Sequence, residues 1–544
     1  MSETQAAQLL AAAEGAVQFE PGQVQDKQPN QEVELKLTAD REQLDRAWAS
    51  RLLATRAGRE AVHELETVYY DTPDERLRRR GLVLRVRKNG RRFVQTVKTE
   101  NGGASGLLRR GEFSCSLPSA RPDLKRIRDP ELKRHMGLIL QPELEPVFTT
   151  RFQRRTRKLR RGGRNQPKAV IEAALDEGEV ITKAGRQRLV ELELELVEGS
   201  AEALYDLARK LVGETPLALQ TVSKSDRGYA LARGETPKWV RAADPEFPSD
   251  ITLDRALDGI FRSCLGHWLA NHAPVLEDDD PEGVHQLRVA LRRLRSALSV
   301  FKAILPQEDA AWINREARWL IQSLGPARDW DVFLTELMPP LQAARPDSGD
   351  LAALTAAAED ARKLGYERAR TALRSGRYTA FVLDLERWTE AGGWHDGEAD
   401  GRFEEPLSDY ACRLLRKRHK RVLKEGRDFE RLSDEARHDL RITLKKLRYT
   451  CEFFASLYPK NKARPYLKAL KSLQDELGHL NDVVVAEDLL GSLHGRGDGS
   501  NTAALRAAAG MVIGWYSSAI DASRPAMLRR WAGFAASDPF WTRG

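Results

Sequence analysis

Between residues 32 and 197 charged and apolar residues alternate, and the charges are sorted by segment rather than mixed. In Glu32-Val33-Glu34-Leu35-Lys36-Leu37 the period of two on a strand sends Glu32, Glu34 and Lys36 to one face and the apolar residues to the other. Further strands are predicted at 67–70, 82–87, 92–98, 110–117, 148–157, 169–175 and 189–197, separated by Gly, Pro and Asn turns. They carry Arg85 and Arg87, then Lys98, then Arg151, Arg155 and Arg157, and finally Glu191, Glu193 and Glu195. An ordinary solvated face mixes signs to gain weak cross-strand pairs. Carboxylate-rich strands at both ends of a series that is basic in its middle predict an antiparallel sheet closed into a barrel. Its polar interior would offer metal ligands on one wall and phosphate ligands on the other.

The row Glu32, Glu34, Lys36 suits a divalent cation bridged to an anion, because hard cations take carboxylate oxygens and complete their shell with phosphates. The whole chain leans the same way: 88 Lys plus Arg stand against 80 Asp plus Glu, a net charge of +8. That balance points to an anionic partner, whether polyphosphate, nucleic acid or a membrane surface. Cys115, Cys264, Cys412 and Cys451 stand singly, which indicates neither a zinc site nor a disulfide framework and fits a reducing cytoplasm. With no basic region ahead of an apolar run, and no stretch of about 18 apolar residues, neither a signal peptide nor a membrane span is expected. A cytoplasmic protein follows. Residues 1–30 read as a flexible tail, 39–54 as a helix with Leu44, Trp48 and Leu52 apolar, and His63 as a structural or surface residue.

At 544 residues more than one domain is expected, and the pattern changes where a boundary should fall. Residues 233–250 hold three prolines and no sustained period, as an extended linker would. From residue 251 the periodicity is helical, and it repeats. The segment from Val284 to Arg295 recurs from Arg437 to Arg448, and Leu324-Gly325-x-x-x-Asp329 recurs as Leu477-Gly478-x-x-x-Asp482, both at an offset of 153 residues. On a helix His285, Arg288, Arg292 and Arg295 share a stripe about 80° wide beside the apolar stripe. His438, Arg441, Lys445 and Arg448 do the same, and Arg315 and Arg318 correspond to Lys468 and Lys471. Cations crowded beside a core with few acidic partners call for an anion. Asp329 and Asp482 are expected to cap or orient helices after the Leu-Gly turn. Nucleic acid is not the expected anion, since aromatic stacking platforms are missing from the basic stripes.

Together, Glu32-x-Glu34-x-Lys36, Tyr69-Tyr70-Asp71-Thr72-Pro73, Leu84-Arg85-Val86-Arg87, Gln95-Thr96-Val97-Lys98, Glu191-x-Glu193-x-Glu195 and the run from Ser223 to Tyr229 resemble a CYTH domain, the triphosphate tunnel metalloenzyme family, over residues 31–232. The resemblance implies an eight-stranded antiparallel tunnel. It implies Mg²⁺ or Mn²⁺ on Glu32, Glu34, Glu193, Glu195 and Asp176, with Glu191 open as an alternative and Glu172 on the same parity. Triphosphate would lie on Lys36, Arg85, Arg87, Lys98, Arg155 and Lys224, with Arg110 and Arg151 as weaker candidates. Glu32, Glu34 and Lys36 would be the catalytic set of a metal-dependent inorganic triphosphatase. Residues 251–540 resemble a CHAD domain on the two His-x-x-Arg helices and the two Leu-Gly-x-x-x-Asp motifs. This second resemblance implies an all-α domain of two repeated four-helix bundles that binds inorganic polyphosphate. The fold class is thus multi-domain α+β. Two other functions fit the same residues: a polyphosphate-binding scaffold without turnover, and a tunnel acting on nucleoside triphosphates.

Overall fold

A computed structural model describes residues 31–54, 58–99, 107–137, 139–163, 166–395, 401–493 and 499–541, without the side chains of residues 31, 107–110, 131, 163, 166–168, 434, 478–484, 499–502 and 519–523. The tail expected over 1–30 and the side chains of Arg110 and Asp482 lie outside that description. Two units are distinguished, Met1–Lys210 with Val222–Glu235 and Leu211–Thr221 with Thr236–Gly544.

The strands of the first unit are β1 (Gln31–Thr38), β2 (Ala61–Asp71), β3 (Leu82–Asn89), β4 (Arg92–Thr99), β5 (Leu107–Leu117), β6 (Glu145–Gly163), β7 (Gln166–Ile181) and β8 (Arg186–Glu198). They pair in the order β5-β4-β3-β2-β6-β7-β8-β1, and β1 pairs again with β5. The sheet therefore closes on itself. Closure gives one parity of every strand the interior and the other the outside. The apolar parity lies outside: Leu82, Leu84 and Val97 pack with Leu77, Ile127, Leu132, Met136 and Ile139 in one buried cluster. An apolar layer thus covers the outside of β3 and β4, and the opposite parity lines the interior, polar but for a small cluster of Leu65, Phe152 and Leu189.

Two helices of this unit matter for the site. Helix α1 (Arg41–Ala49) starts where Asp40 accepts a hydrogen bond from the Gln43 N–H at 2.8 Å, and it buries Leu44 and Trp48. Helix α2 (Lys224–Arg233) starts at Ser223, whose hydroxyl accepts from the Asp226 N–H at 3.1 Å. A Cβ on Gly228 would lie 2.1 Å from the Phe148 ring, so only glycine lets α2 pack this closely on β6.

In the second unit the main helices are α3 (Leu253–Ala270), α4 (Pro281–Val300), α5 (Gln307–Val332), α6 (Gly349–Leu373), α7 (Leu407–Glu425), α8 (Asp434–Phe454), α9 (Lys460–Leu493) and α10 (Gly499–Ala535). The starts of α4 and α8, and of α5 and α9, are each 153 residues apart, so the sequence repeat is a repeat of helices. One apolar cluster takes Trp330, Leu354 and Ala358 from the first copy and Leu490, Leu505 and Val512 from the second. The copies share a core. No helix among the described residues is long and apolar enough to cross a membrane.

Two local expectations change. Leu324-Gly325 is no turn: α5 runs through it and through Pro326, so Asp329 is an interior helical residue rather than a cap. The stretch expected as a linker is laced onto the helices. There the Val240 N–H donates to Asn271 Oδ1 at 3.0 Å, Arg293 Nη1 donates to Asp244 at 2.9 Å, and the Phe247 N–H donates to the Ser456 hydroxyl at 3.2 Å. These contacts satisfy polar groups that an extended chain would leave to water.

Candidate functional site

Barrel closure gathers the inward parity into a cavity of about 420 Å³, lined by Glu32, Glu34, Lys36, Arg85, Lys98, Glu193, Glu195 and Lys224 among others. Register puts them there. Glu34 stands across from Glu195 and Lys36 across from Glu193, while β7 sets Glu172 opposite Glu195 and Asp176 opposite Glu191. On the facing wall Tyr69 pairs with Arg85, Val83 with Lys98, and Lys98 with Glu112. Lys224 enters from the first turn of α2. That helix is latched by Tyr229, whose hydroxyl donates to Asp71 Oδ2 at 2.9 Å, and Asp71 also accepts from the backbone N–H groups of Thr72, Leu77 and Arg78 at 2.7, 2.9 and 3.0 Å. The Tyr-Tyr-Asp-Thr-Pro motif and the closing motif are thus two halves of one brace behind Lys224.

Inside the cavity, cations and carboxylates pair across the lumen. Lys36 bonds to Glu193 and lies 3.2 Å from Glu34 and 3.8 Å from Glu191. Lys224 bonds to Glu191 and reaches Glu193 at 2.7 Å and Asp176 at 2.8 Å. Lys98 bonds to Glu32 and lies 3.2 Å from Glu112. Burial by itself would raise the Glu193 carboxyl, but Lys224, Lys36 and Arg154 outweigh it and hold its pKa well below the usual range. The same balance raises Lys36 and Lys224, in which neighbouring carboxylates overcome burial.

Asp176, Glu191 and Glu193 form a buried acidic cluster whose oxygens lie within 4.8 Å of one another. Lys224 contacts all three, so this cluster already has its countercharge. Beside it Glu34, Glu195 and Glu172 occupy opposite register positions on β1, β8 and β7, with Glu32 next along β1, and Lys36 lies 3.2 Å from Glu34. Hard oxygen donors as close together as those of Asp176, Glu191 and Glu193 suit a divalent cation. The donor set fits the metal that the sequence implied.

One strand was read on the wrong parity. Arg155 lies on the outer face of β6, bonded to Glu60 at 2.9 Å, and so do Arg151, bonded to Glu66 at 2.9 Å, and Arg157, bonded to Glu60 at 2.7 Å. These arginines make the mixed-sign cross-strand pairs of an ordinary solvated face. Arg154 takes the inward position, gripping Asp176 through Nε and Nη2 at 2.7 and 2.6 Å. Beneath it Phe152 carries three cations over its ring, Lys224 at 5.2 Å, Arg154 at 5.5 Å and Arg87 at 5.9 Å from the centroid. Glu112 also went unnoticed; its parity with Ser114 on β5 was the available signal.

The helical unit arranges its cations differently. Arg288, Arg292 and His285 on α4 face Arg328 on α5, and the partners of Arg288 among the described residues are Asp329 at 4.0 Å and the Ile321 carbonyl at 3.3 Å. Gly325 makes room for it, since a Cβ there would meet Arg288 Nη1 at 3.3 Å. Arg295 donates to Asn314, a neutral partner, at 2.8 Å. Burial, then Arg328, Arg292 and Arg288, push the His285 pKa down to about 3, and burial with the neighbouring arginines brings Arg288 to about 10. In the second copy His438 is exposed, Arg441, Lys445 and Arg448 are half-buried, and Arg448 lies 3.3 Å from Glu452. Arg315, Arg318, Lys468 and Lys471 are exposed.

Compared with known families, the model described as CYTH domain matches residues 30–229 and the model described as CHAD domain matches residues 259–491. The chain carries a CYTH domain followed by a CHAD domain. Over 173 residues, 31% of this chain, it is 30% identical to a Haemophilus influenzae protein named inorganic triphosphatase, and the match spans 46% of that relative's length. An uncharacterised protein of Mycobacterium tuberculosis is 26% identical over 481 residues, covering 84% of this chain and 88% of its own. A solved CHAD domain from Ricinus communis is 34% identical, covers 55% of this chain and 97% of its own, and superposes with a TM-score of 0.47. The buried acidic cluster and the mixed-charge cavity lie in the CYTH domain. The cation stripe with few carboxylates lies in the CHAD domain.

Proposed function

We propose that the CYTH domain hydrolyses inorganic triphosphate or short polyphosphate with Mg²⁺ or Mn²⁺, and that the CHAD domain binds inorganic polyphosphate. The observation that carries the first part is the pairing of cations with carboxylates across one 420 Å³ lumen. A metal–triphosphate complex has the same alternation of charge, and can replace those pairs one for one. Lys36, Lys98 and Lys224 exchange a carboxylate partner for a phosphate oxygen, and Arg85 and Arg87 add donors from β3. Glu32, Glu34, Glu193 and Glu195, with Asp176, would hold the cation, which would supply neutralisation of charge on the phosphate oxygens. The basic wall fixes the chain so that its terminal phosphorus is presented in line to water, and pyrophosphate leaves. The relative named inorganic triphosphatase supports this substrate class. For the CHAD domain the support is the stripe of crowded cations, which an extended polyanion relieves.

The test is phosphate release from triphosphate, ATP and long-chain polyphosphate, with Mg²⁺ and with Mn²⁺. Turnover favouring triphosphate is expected. Preference for ATP would move the reading to a nucleotide enzyme, and tight polyphosphate binding without any turnover would move it to a scaffold.

A further inference from the structure

A second cavity, of about 560 Å³, opens on the barrel and is not used by the chemistry above. Arg59, His63, Asn89 and Lys158 line it, and Arg87, Arg154 and Glu172 line both this cavity and the catalytic one. The two spaces therefore meet at two arginines and one glutamate. Register explains the shared wall, since His63 on β2 stands opposite Arg154 on β6. Among the described residues Glu172 is the one carboxylate in the lining, 3.9 Å from Lys158 Nζ, against four guanidinium or ammonium groups. Arg87, at the junction, donates from Nε to the Thr67 hydroxyl at 3.2 Å, a neutral partner. Burial, with Arg85 and Arg154 close by, brings its pKa down to about 10. An anion beside it relieves that crowding. No Phe, Tyr or Trp lines the cavity among the described residues, so a nucleobase finds no large stacking face there.

We propose that this second cavity is a subsite for the further phosphates of a linear chain longer than triphosphate, which passes Arg87 and Arg154 and is held at its outer end by Arg59 and Lys158. The inference rests on the catalytic cavity's holding a phosphate chain. It makes Arg59 and Lys158 determinants of chain-length preference rather than of the chemistry.

The test compares the full chain with its Arg59→Ala/Lys158→Ala variant, both changes being at exposed positions. kcat/KM is measured with triphosphate and with linear tetraphosphate. Dissociation constants for the same two anions are measured by calorimetry in chelator, where the wild-type-minus-variant difference isolates the cavity. The expected result is a loss of about tenfold on tetraphosphate with triphosphate unchanged. Equal losses on both anions, or no loss on either, would overturn the proposal. If the wild-type chain turns over neither anion, the triphosphatase reading fails, and the calorimetric ratio still decides the subsite.

Discussion

The CYTH lumen and the CHAD stripe are both rich in Lys and Arg, yet they neutralise that charge in opposite ways. In the lumen Lys36, Lys98 and Lys224 each contact two or more carboxylates, and those around Lys36 and Lys224 raise the pKa of these two ammonium groups. Along α4 the partners of Arg288 and Arg295 are a distant carboxylate, a carbonyl and an amide, and His285 is held neutral by burial and the surrounding arginines. A site that supplies its own countercharge can exchange it for a cation and an anion together. A site that lacks it takes an anion alone. In the proposed function this difference divides metal-linked turnover from metal-free binding within one chain.

The largest effect that would break this comparison comes from the acidic wall. Glu34→Gln should lower triphosphate hydrolysis by a factor on the order of 10³ while polyphosphate binding by the chain is unchanged. Phosphate release and a binding titration on the same preparation check both halves, and hydrolysis near the wild-type rate would show that the β1 carboxylates are not metal ligands.

A smaller effect is expected on the other side. Arg288→Glu with Arg441→Glu places carboxylates in both copies of the stripe, and polyphosphate affinity should fall about 100-fold with triphosphate kinetics unchanged. A parallel fall in kcat/KM for triphosphate would mean that the two regions work as one site.

The smallest effect sharpens the electrostatic contrast. His285 has a folded pKa near 3, whereas an unfolded histidine titrates near 6.5, so the unfolded chain takes up the proton more readily. The contribution of neutral His285 to stability is complete above about pH 6.5 and is lost progressively as pH falls toward about 3. Denaturant midpoints across that window should fall less steeply for His285→Ala than for the wild type. Polyphosphate, by supplying the missing anion, should be bound with proton uptake in the wild type and with less in the variant, as calorimetry in two buffers would report.

How much of this was legible in the sequence depended on whether one strand or helix carried its own answer. On β1 and over residues 189–197 of β8 only one parity was charged, so the inward faces followed from alternation alone. On β6 arginines occupy both parities, at 151, 155 and 157 and again at 154. Their faces are decided by partners distant in sequence, Glu60 and Glu66 outside and Asp176 inside. Gly325-Pro326 reads locally as a break, but α5 passes through it, with Gly325 serving the approach of Arg288 instead. The two histidines of the repeat share one motif and differ in burial, because the packing of neighbouring helices is not written in the motif itself.

The most direct measurement is a pair of readouts on the full chain with and without chelator: phosphate release from triphosphate, and binding of long-chain polyphosphate. The account predicts that chelator abolishes the first and leaves the second intact. Hydrolysis that survives chelation, or polyphosphate binding that disappears with the metal, would contradict the division between a metal-linked lumen and a metal-free stripe.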